Sequence, residues 1–221
     1  MRRRNFITFS ATSIGGLLVF TLDRQPVMLH AQGGKKIRIP LRFFDEPQAL
    51  TVAAAAARIF PSDASGPGAP EGGVVVYIDR QLASSYGRDR FRYTQPPFED
   101  GASEQGYQGK ATPREVYREG LVLLGHDFGK LLPGEQDARL RRIETTYFFR
   151  LLRQHTIEGM FCDPIHGGNA GLIGWQLIGY PGPHMSWSDH IDQHYGKAYR
   201  PKPRSLSDVV GHAVKPWEET E

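Results

Sequence analysis

At 221 residues the chain is long enough to bury one proper hydrophobic core. A mean hydropathy of −0.43 with 39% apolar residues fits a soluble globular protein carrying irregular polar segments. The net charge is only +3, and much of the surplus sits in Arg2-Arg3-Arg4, Lys202 and Arg204, so there is no basic stripe for nucleic acid; the single cysteine, Cys162, excludes a disulfide framework and a thiolate zinc cluster.

The amino terminus reads MRRRNFITFSATSIGGLLVFTL. Arg3, Arg4 and Phe6 fit a twin-arginine export signal, followed by a modest apolar run from Ile14 to Leu22. That run is too short, and too rich in Gly, Ser and Thr, for a transmembrane helix. The competing reading is a short basic anchor or an unstructured tail. Cleavage after Ala31 would use a poor small-x-small site, and an uncut signal would leave a membrane anchor. We therefore take residues 1–31 as the signal segment and 32–48, punctuated by Pro40 and Pro47, as a linker.

The folded part begins near residue 49. An alanine-rich helix is expected from Leu50 to Phe60, with Thr51 as its cap and Pro61 as its stop. Gly66-Pro67-Gly68 lies in the loop that follows; without a Gly-Lys-Ser/Thr behind it, this is no phosphate loop. Val74 to Ala83 is ambiguous: the valine run suits a buried strand, whereas Val75, Ile78 and Leu82 fall at helical spacing. Residues 84–111 form a long irregular loop, either functional or packed on itself. Thr112-Pro113-Arg114-Glu115 is a capping box opening a helix that buries Val116, Tyr117, Leu121 and Leu124 and stops at Gly125. Gly134 to His155 reads as one helix, with Leu140, Ile143, Tyr147, Phe148, Leu151 and Leu152 on its apolar face.

Thr156 to Pro183 is the most distinctive stretch, with seven glycines and three prolines among large apolar residues. A linker would lack the apolar anchors, and a regular element would resist the glycines. The composition predicts a compact loop, with Gly167-Gly168-Asn169 as its sharpest turn. It would bind a small ligand, dock a partner or close its own core. Within it, EGMFCDPIHGGNAGLIGWQLIGYPGP resembles the signature of the gluconate 2-dehydrogenase subunit 3 family, matching at Glu158 to Phe161, Asp163-Pro164, Gly167 to Asn169, Gly174-Trp175 and Ile178 to Pro183.

That resemblance spans roughly residues 49–184 and implies a mainly α, single helical domain with long irregular loops, preceded by the export signal. It favours helix for Val74 to Ala83. It implies a cofactor-free small subunit whose partner is a large FAD-dependent sugar or sugar-acid dehydrogenase, with a c-type cytochrome as a further candidate subunit. FAD would belong to the partner. The twin-arginine translocase would carry the complex to the periplasm, associated with the membrane. Phe161, Trp175 and Tyr180 are the expected docking residues, because large aromatics dominate interfaces.

A different class of function rests on residues 185–221, a polar extension read as a tail or as a segment that orders on a partner. His190, Asp192 and His194 would make the chain a metal-binding protein or metal-dependent enzyme. On a helix the two histidines share a face, but Asp192 points away from them, which favours solvated side chains. Cys162 lacks the partners of a haem attachment, an iron–sulfur ligand or a nucleophile, and no dinucleotide, Walker or nucleophile-elbow motif is present.

Overall fold

The computed structural model describes residues 38–210 apart from 94, 100, 185 and 187, together with three short strands nearer the amino terminus. Strands β1 (Phe6–Thr8) and β4 (Arg38–Pro40) pair antiparallel, as do β2 (Leu17–Leu22) and β3 (Gln25–His30). Arg3 and Arg4 of the expected export signal lie outside the described residues. From residue 41 to 210 every regular element among the described residues is a helix, and the fold is mainly α as the sequence predicts. No described helix is long and apolar enough to cross a membrane.

The first helix, α1 (Glu46–Ile59), starts earlier than its composition suggests. Its cap is Asp45, not Thr51: the Asp45 carboxylate accepts from Gln48 N at 2.8 Å, and the Gln48 side chain accepts from Asp45 N. Thr51 lies buried inside the helix, with its hydroxyl donating to the carbonyl of Pro47 four residues back. A proline in the first turn lacks only an N–H that would be unpaired there anyway, so Pro47 marks a helix start rather than a linker. Val74–Ala83 is a helix, α2, settling the strand-or-helix ambiguity.

Helix α2 carries an acid into the core. Asp79 is 1% exposed, and its carboxylate accepts from the backbone N–H groups of Arg42, Phe43 and Phe44 at 2.8–3.0 Å. Three converging donors offset the cost of burying that charge and fix the entry segment against α2. The loop 84–111 remains irregular apart from two 3-10 turns, Tyr86–Arg88 and Ser103–Gln105. It is partly self-packed: the Tyr107 ring stacks on Tyr147 at 3.8 Å, while Phe91 and Tyr93 stay exposed.

Helix α3 (Pro113–Leu124) has the expected capping box and ends at Gly125, with Val116, Tyr117, Leu121 and Leu124 buried. The long helix expected over 134–155 is two: α4 (Pro133–Arg142) and α5 (Tyr147–Phe161). Thr146 divides them. Its hydroxyl donates to Ile143 O and accepts from Phe149 N, capping α5. Helix α5 packs against α1, α2 and α3 around Val52, Ile78, Leu82, Tyr117, Phe128 and Leu152. It also runs on through Thr156 to Phe161, so the loop expected from Thr156 begins six residues later, at Cys162.

Candidate subunit-docking site

The signature segment is built around Asn169, whose side chain is completely buried. Its amide nitrogen donates to Cys162 O at 2.9 Å, its amide oxygen accepts from Gly174 N at 2.8 Å, and its backbone N–H donates to Gly159 O at 2.7 Å. One residue thereby ties the end of α5 to the start of the short helix α6 (Ile173–Ile178). Asn169 takes a left-handed backbone (φ 47°), which asparagine accepts more readily than most residues. The glycines beside it are there for space. A Cβ on Gly168 would sit 2.2 Å from Gly159 O, and one on Gly174 would sit 1.9 Å from Met160 O.

The three expected docking aromatics come together at the end of α5. Trp175 is 4% exposed, and its indole N–H donates to Phe161 O at 2.7 Å. Tyr180 meets the Trp175 ring edge-on at 5.0 Å and is 41% exposed. Phe161 is partly buried against Phe60, with ring centroids 5.9 Å apart. Trp175 is thus an inner anchor, and Tyr180 is the outward-facing member. Beside Tyr180, α6 presents Leu177 at 38% and Ile178 at 59% exposure. Neither was among the expected docking residues; at 100° per residue Leu177 lies opposite the inward Trp175, whereas Ile178, three residues on, is nearer the Trp175 face and is exposed where the helix ends at Gly179.

Cys162 packs beneath the turn, with its thiol donating to Gly159 O, and burial pushes its pKa up to about 12. It is therefore protonated at neutral pH, which suits a packing residue and not a nucleophile. The carboxyl-terminal extension returns to the same place. Leu206 N donates to the Asp163 carboxylate at 2.7 Å, Arg204 N donates to Pro181 O at 3.1 Å, and Ser205 is buried between them. Part of the extension is therefore fastened to the chain's own signature turn.

Elsewhere, Gly68 N and the Ser62 hydroxyl both donate to the buried Glu71 carboxylate. An acid already fills the glycine loop where a phosphate would have to enter. His190 and His194 share a face of α7 (Ser188–His194), rings 5.5 Å apart, and His194 stacks on Tyr199 at 4.1 Å. Among the described residues no three His, Cys, Asp or Glu side chains are grouped to hold a metal; the Asp192 side chain lies outside them.

One buried cluster went unnoticed in the sequence. His155 on α5 is 1% exposed, with Nδ1 bonded to the Tyr117 hydroxyl and Nε2 to the Tyr86 hydroxyl, each at 2.9 Å. Beside it Tyr77 donates to Glu158 at 2.9 Å. Burial lowers the His155 pKa to about 4, against a smaller upward pull from Glu158. A neutral imidazole donates through one nitrogen and accepts through the other, so two tyrosines satisfy it fully.

Residues 46–182 match the family described as gluconate 2-dehydrogenase subunit 3. The chain belongs to that family. The match covers every helix from α1 to α6 and the whole Asn169-centred turn. No curated protein and no solved structure matches the chain. Membership of the subunit 3 family makes the chain an accessory subunit of a gluconate 2-dehydrogenase-like complex. Within this subunit 3 protein, the signature residues build a closely hydrogen-bonded turn with the apolar side chains of Leu177, Ile178 and Tyr180 exposed beside it.

Proposed function

We propose that this protein is the non-catalytic small subunit of an FAD-dependent sugar or sugar-acid dehydrogenase, docking on the large subunit through Tyr180, Leu177 and Ile178. The observation that carries the reading is this strip, exposed on a buried, fully hydrogen-bonded mount in the segment that bears the family signature. Phe161 and Trp175 support it from beneath. A pre-ordered apolar surface binds with little ordering cost. Because it binds only the folded large subunit, it stabilises that fold by mass action.

FAD sits in the partner in this reading, and a c-type cytochrome is a candidate third subunit. Arg3, Arg4 and Phe6 supply the twin-arginine signal for the assembled complex. That route carries folded proteins, so one signal serves a cofactor-loaded partner that has none. The complex then resides in the periplasm, held at the membrane. Removal of residues 1–31 tests the export half directly. The FAD subunit should then accumulate in the cytoplasm; its undiminished appearance in the periplasm would refute the shared-signal role.

A further inference from the structure

A pocket of about 280 Å³ opens between the entry segment, the C-terminal end of α2 and the signature turn. Arg42, Arg80, Gln81, Ser84 and His166 supply its polar lining. Arg80 donates to Pro40 O through Nη2 at 3.1 Å, but its buried Nη1 has no acceptor among the described residues. Among the described residues no carboxylate lies within ion-pair distance of Arg80. Burial, and after it the neighbouring Arg42 charge, lowers the Arg80 pKa from its ordinary value, with Asp79 acting in the opposite direction. Asp79 is already engaged by the N–H groups of residues 42–44. A buried guanidinium with an unmet donor is costly unless an acceptor reaches it, and an anion would supply that acceptor best.

The end of a helix would ordinarily oppose an anion, because its free carbonyls carry partial negative charge. Here those carbonyls are covered. Ser84 donates to Arg80 O and Gln81 O, and the Arg114 guanidinium donates to Leu82 O and Ala83 O. The pocket is left with donors and positive charge.

We propose that this pocket binds a small oxyanion, a phosphate or a carboxylate head, between the guanidinium groups of Arg42 and Arg80, with His166 as a further donor. Guanidinium groups match the paired oxygens of both ligand types. The site does not depend on the subunit reading, since all its residues belong to this chain.

The test is thermal unfolding of the full chain titrated with sodium phosphate, and separately with sodium acetate, against sodium chloride at equal ionic strength. Phosphate or acetate should raise Tm saturably where chloride does not. Arg42→Met removes an exposed side chain and keeps the backbone bond to Asp79; it should weaken the apparent affinity roughly tenfold or more. His166→Gln provides a second variant from the opposite wall, with a smaller loss. Equal responses to all three salts would overturn the proposal, even if an acidic side chain of a partner protein bound there instead. An unchanged affinity in folded Arg42→Met would overturn it as well.

Discussion

Asn169 shows how much a single side chain holds in this protein. Asn169→Ala leaves Gly174 N and Cys162 O without their partners in a buried turn. The expected cost is about 4 kcal/mol, the sum of two unmet buried groups at about 2 kcal/mol each, the middle of their usual range. Urea denaturation measures it, and a loss below about 1 kcal/mol would mean that the turn relaxes around the gap. His155 gives a prediction of a different kind. Its folded pKa is about 4 and its unfolded value is near 6.5. The unfolded chain therefore takes up the proton first as pH falls. Stability from this residue is fully present above about pH 6.5 and is lost on descending toward pH 4, at up to about 1.4 kcal/mol per pH unit. The carboxylates of Asp127 and Asp137, lowered chiefly by hydrogen bonds from Arg139 and Arg58, add their own losses at lower pH. Comparing the wild type with His155→Gln between pH 7.5 and pH 4.5 separates the two. The variant should be less stable at pH 7.5, and the gap should narrow at pH 4.5; a constant gap would contradict the assignment.

Among the elements, helix starts were legible where the capping residue and the first apolar position lie close together. Thr112 to Glu115 showed its box openly, and the structure has it. Helix α1 did not, because the alanine run drew attention to Thr51 and away from Asp45 and Gln48. Substitution distinguishes the two positions. Asp45→Ala should cost about 1 kcal/mol through the lost cap. Thr51→Ala should cost less, because alanine is the better helix former and only the hydroxyl bond to Pro47 O is lost. Denaturation midpoints showing the reverse order would restore Thr51 as the cap.

The break between α4 and α5 was hidden for a geometric reason. It occupies Ile143 to Thr146, about one helical turn, so the apolar spacing resumes in phase at Tyr147. Periodicity cannot register an interruption of one period; the Thr145-Thr146 pair, with poor helix propensity and a good cap, was the available signal. The continuation of α5 through Gly159 was hidden by the opposite effect, since glycine argued for a loop. In the fold its carbonyl receives Asn169 N, and Tyr77 and Val74 crowd the place where a Cβ would sit. That contact joins residues far apart in sequence. The same holds for the His155 pair of tyrosines and the Asp79 nest, neither of which local patterning contains.

At the scale of the whole molecule, the fold places the Asn169-centred turn and the exposed apolar side chains of α6 at the same end of α5. The sequence pointed to Phe161, Trp175 and Tyr180 as a group of docking residues; it did not show which of them face outward. That division depends on the Trp175 N–H reaching Phe161 O across the turn. The carboxyl-terminal residues fastened to Asp163 and Pro181 brace the same turn from outside. The central claim is that Leu177, Ile178 and Tyr180 form the face that meets a large flavoprotein. Its most direct test is affinity capture of the carboxyl-terminally tagged chain from periplasmic and membrane fractions, with Ile178→Glu run in parallel. The wild type should bring down a larger, yellow, FAD-containing subunit in equal amount. Ile178→Glu, folded by circular dichroism, should lose most of it, because the new carboxylate would have to be buried without a partner. A wild-type chain that comes down alone, or an Ile178→Glu chain that retains its partner in full, would contradict the account.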